Sequence, residues 1–219
     1  MFSFPKFPDS WYDHVQFEIE LLHSYISNLE PLITISISKF RTEKQTHGKD
    51  TDNEEVIPSC TTTYLNLNDR TFDLETVFED YFPNLLRSSA LITIYSFFEH
   101  QLEKLCKEFS SHQHTHISIN DIKGKGIERS FHYLTKVAEL TELNNSATWP
   151  KIKIIGQIRN MIAHNNGRVK KEDLGQYKNV PHLKFDINNE IEIQKNYLPH
   201  VLGIFGEFLN EIHRQLRMK

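Results

Sequence analysis

The residue types that could do chemistry are concentrated in one stretch, residues 159–167, with the sequence RNMIAHNNG. It places the guanidinium of Arg159, the amide of Asn160 and the imidazole of His164 within about one and a half helical turns. An arginine stays charged and can hold two phosphate oxygens at once. A histidine can take or give a proton near neutral pH. Cleavage of RNA without a metal ion needs these groups.

The apolar pattern predicts that this stretch ends a helix. Isoleucines precede it at helical spacing, at Ile152, Ile155, Ile158 and Ile162. Residues 165–167 (NNG) are typical of a helix stop. On an ideal helix Asn160 and His164 share a face, whereas Arg159 and His164 lie about 140° apart. A second copy facing the first would bring two such pairs into one cleft.

A structural interpretation of the same residues stays open from their types alone. A histidine near the carboxyl end of a helix is favoured by the helix dipole. An arginine on a helix commonly pairs with an acid at the surface. The spacing of Arg159 and His164 does not choose between these possibilities.

Three stretches of the chain carry a resemblance to a known family. Residues 159–164 (RNMIAH) resemble the signature of the HEPN superfamily, an Arg, usually followed by a polar residue, with a His after four to six positions. Residues 87–106, which include RSSAL and YSFFE, are similar to stretches in bacterial HEPN proteins. So are residues 121–137, which include DIKGKGIER and YLTKV. The resemblance covers roughly residues 85–215.

The resemblance implies a small helical bundle that forms a homodimer and acts as a metal-independent endoribonuclease. Arg159 and His164 would be its catalytic pair, with Asn160 as a supporting polar residue. Glu99 could pair with Arg159 and fix its rotamer; an exposed helix acid is the alternative. The resemblance also implies a toxin or phage-defence role, with a possible antitoxin or defence-system partner protein and no cofactor. Some members of the superfamily are inactive and bind a nucleotide or a partner protein instead.

Basic side chains gather around the motif although the net charge is −4. Residues 151–171 contain six Lys or Arg and no Asp or Glu. Such a stripe can bind a phosphate backbone, and a solvated helix and loop is the alternative. The predicted RNA-binding residues are Lys151, Lys153, Arg168, Lys170, Lys171, Lys123 and Lys125.

Two further segments could bind ligands. Residues 123–126 (KGKG) precede a predicted helix, where backbone N–H groups and two ammonium groups could hold a phosphate. The segment lacks the Walker pattern, so nucleoside triphosphate hydrolysis is not indicated; a flexible basic loop is the alternative. His112, His114 and His116 would share one face of a strand. They lack a fourth ligand at zinc-site spacing, and we expect no metal.

Length and composition are those of an ordinary globular chain. The 219 residues are enough for a hydrophobic core, and 15 Phe and 8 Tyr suit an aromatic interior. The sequence has no apolar run of about 18 residues and no secretory signal pattern at its start. Cys60 and Cys106 have no metal-ligand spacing. A reduced cytoplasmic protein without membrane association is therefore expected.

Apolar periodicity predicts an all-α protein, an antiparallel bundle of about five to six helices with a small β-hairpin appendage. Residues 1–70 are expected to form an N-terminal helix and a loose polar connection, and residues 71–219 the HEPN-like bundle. Within the N-terminal part, Pro31 is expected to kink or split the helix, and residues 41–62 to be loose. The residues expected to point inward from that helix are Phe17, Leu21, Leu22, Tyr25 and Leu29.

The clearest core helix is predicted over residues 84–109, because its apolar residues step by three and four. They are Leu91, Ile94, Phe98, Leu102, Leu105 and Phe109. Further helices are predicted over residues 127–143 and 198–216. A hairpin that turns at Asn188 and Asn189 is predicted within residues 181–193.

Overall fold

Helices dominate the structure, a computed structural model that describes residues 7–48, 60–113 and 116–219. Six α-helices and two small antiparallel sheets occur in these ranges, so the predicted mostly helical fold class with a small β appendage is confirmed. Contacts group the described residues into two compact units. One contains residues up to Ile26 together with Ser88–Lys219, and the other contains Ser27–Arg87. The domain boundary expected after residue 70 stays a prediction.

The elements follow one another along the chain in a simple order. The helices are α1 (Asp9–Glu43), α2 (Phe82–Gln113), α3 (Gly126–Lys136), α4 (Trp149–Asn165), α5 (Leu174–Tyr177) and α6 (Tyr197–Arg217). The strands are β1 (Gln45–Gly48), β2 (Cys60–Tyr64), β3 (Leu67–Asn68), β4 (Leu183–Phe185) and β5 (Ile191–Ile193). None of the helices in the described ranges combines the length and apolar character needed to cross a membrane.

Aromatic rings form the centre of the larger unit. Phe98 of α2 stacks on Phe205 of α6 with ring centroids 4.0 Å apart, and Phe131 of α3 stacks on Trp149 of α4 at the same distance. Phe208 of α6 contacts both stacks. The predicted α2 stripe is confirmed, since all six of its apolar residues are buried. These contacts hold α2, α3, α4 and α6 around one core.

The predicted hairpin is also confirmed. Strands β4 and β5 pair antiparallel, and the Asp186 side chain accepts hydrogen bonds from the backbone N–H groups of Asn188 and Glu190 in the turn. The Ile191 N–H donates to the Gly167 carbonyl at 3.0 Å. The hairpin is therefore attached to the segment that leaves α4.

The smaller unit contains a three-stranded sheet with the order β1-β2-β3. The rings of Phe40, Tyr64 and Phe78 pack together within it. Glu30 and Arg87 form a two-point ion pair at 2.7 and 2.9 Å. The expectation of a loose connection over residues 41–62 is wrong at both ends. Helix α1 extends to Glu43 and is followed by β1, and β2 begins at Cys60. Residues 49–59 of that segment lie outside the described residues.

Two expectations for α1 are wrong in part, although Leu29 is buried as expected. Phe17, Leu21 and Tyr25 are exposed rather than inward, because a second apolar stripe on the same helix fills the core of the larger unit. That stripe is Trp11, Val15, Ile19 and Ile26. Pro31 does not split the helix, and the alternative that it kinks the helix stays a prediction. Pro31 lies on the exposed side, where water can replace the backbone hydrogen bond that proline cannot donate.

The two cysteines differ in burial, and this difference is testable. Burial raises the pKa of the Cys106 thiol to about 12, whereas Cys60 is exposed. At pH 8 Cys106 should therefore hold almost no reactive thiolate. We expect a disulfide reagent to label one thiol of the native chain quickly and the second only after unfolding. Replacement of Cys60 by Ser should abolish the fast reaction, and equal native rates for both thiols would contradict the structure.

The Phe98 stack predicts a large stability effect. Phe98→Ala removes a fully buried ring and should lower the free energy of unfolding by about 3–5 kcal/mol, measured by denaturation followed by circular dichroism. The control is Ser96→Ala on the exposed side of α2, which should change it by no more than about 0.5 kcal/mol. Equal effects of the two substitutions would count against the aromatic core.

Candidate functional site

Arg159 of α4 reaches across to α2 and is held by three groups. Its Nη2 donates to Glu99 Oε2 at 2.9 Å, and its Nη1 donates to Asn160 Oδ1 at 2.9 Å. The guanidinium carbon lies 4.4 Å from the centroid of the Tyr95 ring, close enough for a cation–π contact. Salt bridge, hydrogen bond and ring together fix one orientation of the guanidinium. The structure thus brings together three of the predicted site residues, Arg159, Asn160 and Glu99.

The local sequence explains why these groups meet. Tyr95 and Glu99 are four residues apart on α2 and so face the same way. Gly156 lies one turn before Asn160 on α4 and leaves room for the Tyr95 hydroxyl, because a Cβ at residue 156 would stand 2.6 Å from that oxygen. Burial raises the pKa of Tyr95 to about 12, against the lowering effect of Arg159. The Tyr95 hydroxyl therefore stays protonated at neutral pH.

A cavity of about 450 Å³ opens beside the guanidinium. Tyr95 and Glu99 of α2 form one wall, the amino end of α3 with Lys125 forms another, and α4 contributes the face from Lys153 to Asn160. Arg159 Nε is buried and has no hydrogen-bond partner within the part of the chain that the structure describes. The cavity is polar, concave and lined by charges of both signs.

Glycine is favoured at residue 126, the start of α3, on two grounds. Its φ of +56° is in the left-handed region that favours glycine. A Cβ at this residue would also stand 2.5 Å from Glu99 Oε1. The Glu99 carboxylate therefore lies against the amino end of α3 on one side and against Arg159 on the other.

His164 occupies a different position from Arg159. It is exposed in the last turn of α4 and does not line the cavity. The helix ends where predicted, with Asn166 and Gly167 at φ values of +52° and +77°. A single chain thus presents His164 at an open helix end and does not bring it to the arginine cavity.

The predicted RNA-binding residues separate into two groups. Lys125 and Lys153 line the cavity. The others are exposed outside it, at Lys123, Lys151, Arg168, Lys170 and Lys171. Among these, Arg168 Nη2 pairs with Glu190 Oε1 at 3.1 Å.

The sequence did not single out several residues that the cavity includes. Tyr95 lies within residues 87–106, which carry part of the family resemblance, but no role is predicted for it there. Its spacing of four residues from Glu99 is the sequence feature that could have indicated a shared helix face. Gln157 lines the cavity, and its Oε1 accepts a hydrogen bond from the hydroxyl of Tyr177 in α5. Glu128 adds a second carboxylate. No local pattern marks Gln157 or Glu128, because both depend on how α3, α4 and α5 come together.

No group of three or more His, Cys, Asp or Glu side chains is arranged to hold a metal ion in residues 7–48, 60–113 and 116–219. His112 and His116 are exposed, and His114 lies outside the described residues. Comparisons with protein-family models, curated proteins and solved structures gave no match to this chain.

The close approach of Gly156 and Tyr95 predicts an energetic coupling between them. Gly156→Ala forces the Tyr95 hydroxyl to move, and the shift should propagate to the stacked guanidinium. In a Tyr95→Phe background the closest clash is gone, so the same substitution should cost about 1 kcal/mol less. A double-mutant cycle of unfolding free energies measures this difference. Additive effects would show that the two residues are not in contact.

Proposed function

We propose that this chain is a metal-independent endoribonuclease of HEPN type, a cytoplasmic toxin or phage-defence effector. The observation that carries the proposal is the fixed position of Arg159 on the wall of a polar cavity whose lining cations outnumber its carboxylates. The guanidinium is oriented by Glu99, Asn160 and Tyr95 before any substrate binds. Such preorganised positive charge is what stabilises a developing phosphorane.

The proposed reaction is attack of a ribose 2′-oxygen on the adjacent phosphorus. His164 takes the proton of the 2′-hydroxyl as the new P–O2′ bond forms. The P–O5′ bond breaks, and His164 of the partner subunit protonates the leaving 5′-oxygen. Arg159 neutralises the charge that develops on the phosphoryl oxygens. The products are a 2′,3′-cyclic phosphate and a 5′-hydroxyl, without a metal ion or other cofactor.

Two copies of the chain are part of this proposal. His164 is exposed at a helix end while Arg159 faces the cavity, so within one copy the two side chains do not act on the same phosphate. A homodimer that apposes two such helix ends would combine two histidines and two arginines in one cleft. The remaining predicted RNA-binding cations, at Lys123, Lys151, Arg168, Lys170 and Lys171, would attract RNA at longer range. An antitoxin or defence-system protein would control the dimer.

A second candidate function is an inactive HEPN module that binds a nucleotide or a partner protein. The salt bridge at 2.9 Å between Arg159 and Glu99 favours it, because a guanidinium whose charge is already balanced interacts less strongly with a phosphoryl group. The exposed position of His164 outside the cavity favours it too. This candidate predicts ligand binding at the cavity without RNA cleavage.

Cleavage of a mixed-sequence single-stranded RNA in the presence of EDTA tests the nuclease. The wild type should produce 2′,3′-cyclic phosphate ends, and His164→Ala should lower the rate by at least about 100-fold, because it removes the proton acceptor. Light scattering of the same samples should give the mass of a dimer.

The matched control is His23→Ala, an exposed histidine on α1, which should cleave like the wild type. Equal cleavage by wild type and His164→Ala would remove the proposed mechanism. A wild type that binds a mononucleotide but cleaves no RNA would favour the second candidate.

A further inference from the structure

Two pairs of lysines near the cavity differ in position although they are close in sequence. Lys125 lines the cavity, while Lys123 in the same loop does not. On α4, Lys153 lines it, while Lys151 does not. All four side chains are exposed, so the members of each pair differ in whether they line the cavity and not in burial.

The charges within the cavity leave the two lining lysines available for a ligand. Arg159 is engaged by Glu99 at 2.9 Å. Neither Lys125 nor Lys153 has an ion-pair partner in the described portion of the chain. Glu128 offsets one of the two positive charges. A net positive charge therefore remains around a concave space beside the arginine.

The amino end of α3 adds to this positive character. Lys125 is the residue before the helix, and its side chain does not cap the first turn. Gly126, Ile127 and Glu128 of that first turn all line the cavity. The backbone N–H groups at a helix start favour a negative charge nearby. The position of the Glu99 carboxylate against Gly126 is one example of this preference.

The size of the cavity limits what can enter. A volume of about 450 Å³ is within the usual range for a small-molecule site, and it suits one nucleotide rather than a folded segment. Its lining side chains include cations and amides, which suit phosphate and sugar oxygens, together with the carboxylates of Glu99 and Glu128.

We infer that this cavity is a phosphate subsite in which Lys125 and Lys153 bind the nucleotide next to the scissile linkage of an RNA strand. The inference rests on the proposed function, because it takes Arg159 as the group that meets the scissile phosphate. It assigns two of the seven predicted RNA-binding residues to direct contact and leaves the other five to longer-range attraction.

Binding of an uncleavable probe tests the subsite separately from catalysis. The probe is a fluorescein-labelled oligoribonucleotide with 2′-O-methyl groups throughout, which removes the attacking hydroxyl. By fluorescence anisotropy, Lys125→Gln and Lys153→Gln should each raise the Kd about tenfold and reduce the salt dependence of binding by about one phosphate contact. Lys125→Arg should restore binding, because the charge is kept.

The comparators are Lys123→Gln and Lys151→Gln, which make the same charge change two residues away. They should raise the Kd by less than about threefold, the effect of longer-range attraction alone, and Lys136→Gln at the far end of α3 should leave it unchanged. The subsite would be overturned if the four glutamine variants at residues 123, 125, 151 and 153 raised the Kd equally, or if the wild type did not bind the probe.

Two further measurements, RNA cleavage and the binding of adenosine monophosphate, separate this inference from the proposed function and from the binding of a free nucleotide. If the wild type cleaves no RNA but the binding pattern holds, the nuclease proposal and the position beside a scissile linkage both fail, while Lys125 and Lys153 stand as a phosphate subsite for an RNA strand. If cleavage occurs but the four variants bind alike, the subsite alone fails. If adenosine monophosphate binds as tightly as the probe and loses affinity in the same two variants, a free nucleotide replaces the RNA strand as the ligand, and the inference is overturned.

Discussion

The salt bridge between Arg159 and Glu99 is the interaction on which the candidate site depends. Both side chains are largely shielded, with 21% and 31% of their surfaces exposed, so loss of either would leave a poorly solvated charge. The pair ties α2 to α4 at one point. It also explains two glycines, since Gly126 makes room for the carboxylate and Gly156 makes room for the ring under the guanidinium. Small residues at these places serve the arginine rather than the backbone alone.

The parts of the fold that sequence predicted correctly are those decided locally. The α2 stripe around Phe98 steps by three and four, and every one of its apolar residues is buried. Asn188 and Asn189 marked the hairpin turn because few other residues suit such a turn. The end of α4 at Asn166 and Gly167 followed from the same rule. In each case the signal lies within a few residues of the feature.

The parts that sequence missed depend on competition or on distant contacts. Helix α1 carries two apolar stripes, and Val15 and Phe17 lie about 160° apart on it, so periodicity alone does not say which stripe packs inward. The sequence predicts a loose connection over residues 41–62, although the β-branched threonines near its end suit the strand that forms at Cys60–Tyr64. The spacing of Tyr95 and Glu99 is visible in the sequence. The contacts of Tyr95 with Gly156 and of Glu99 with Arg159 are not, because they require α4 to lie across α2.

The open position of His164 has a consequence for how the proposed enzyme would behave in a cell. A site completed only when two helix ends meet has activity that follows the amount of dimer. Below the dissociation constant of that dimer, the amount of dimer rises with the square of the chain concentration. A cell that makes little of the protein would then carry it without harm, and a modest rise in expression would switch it on.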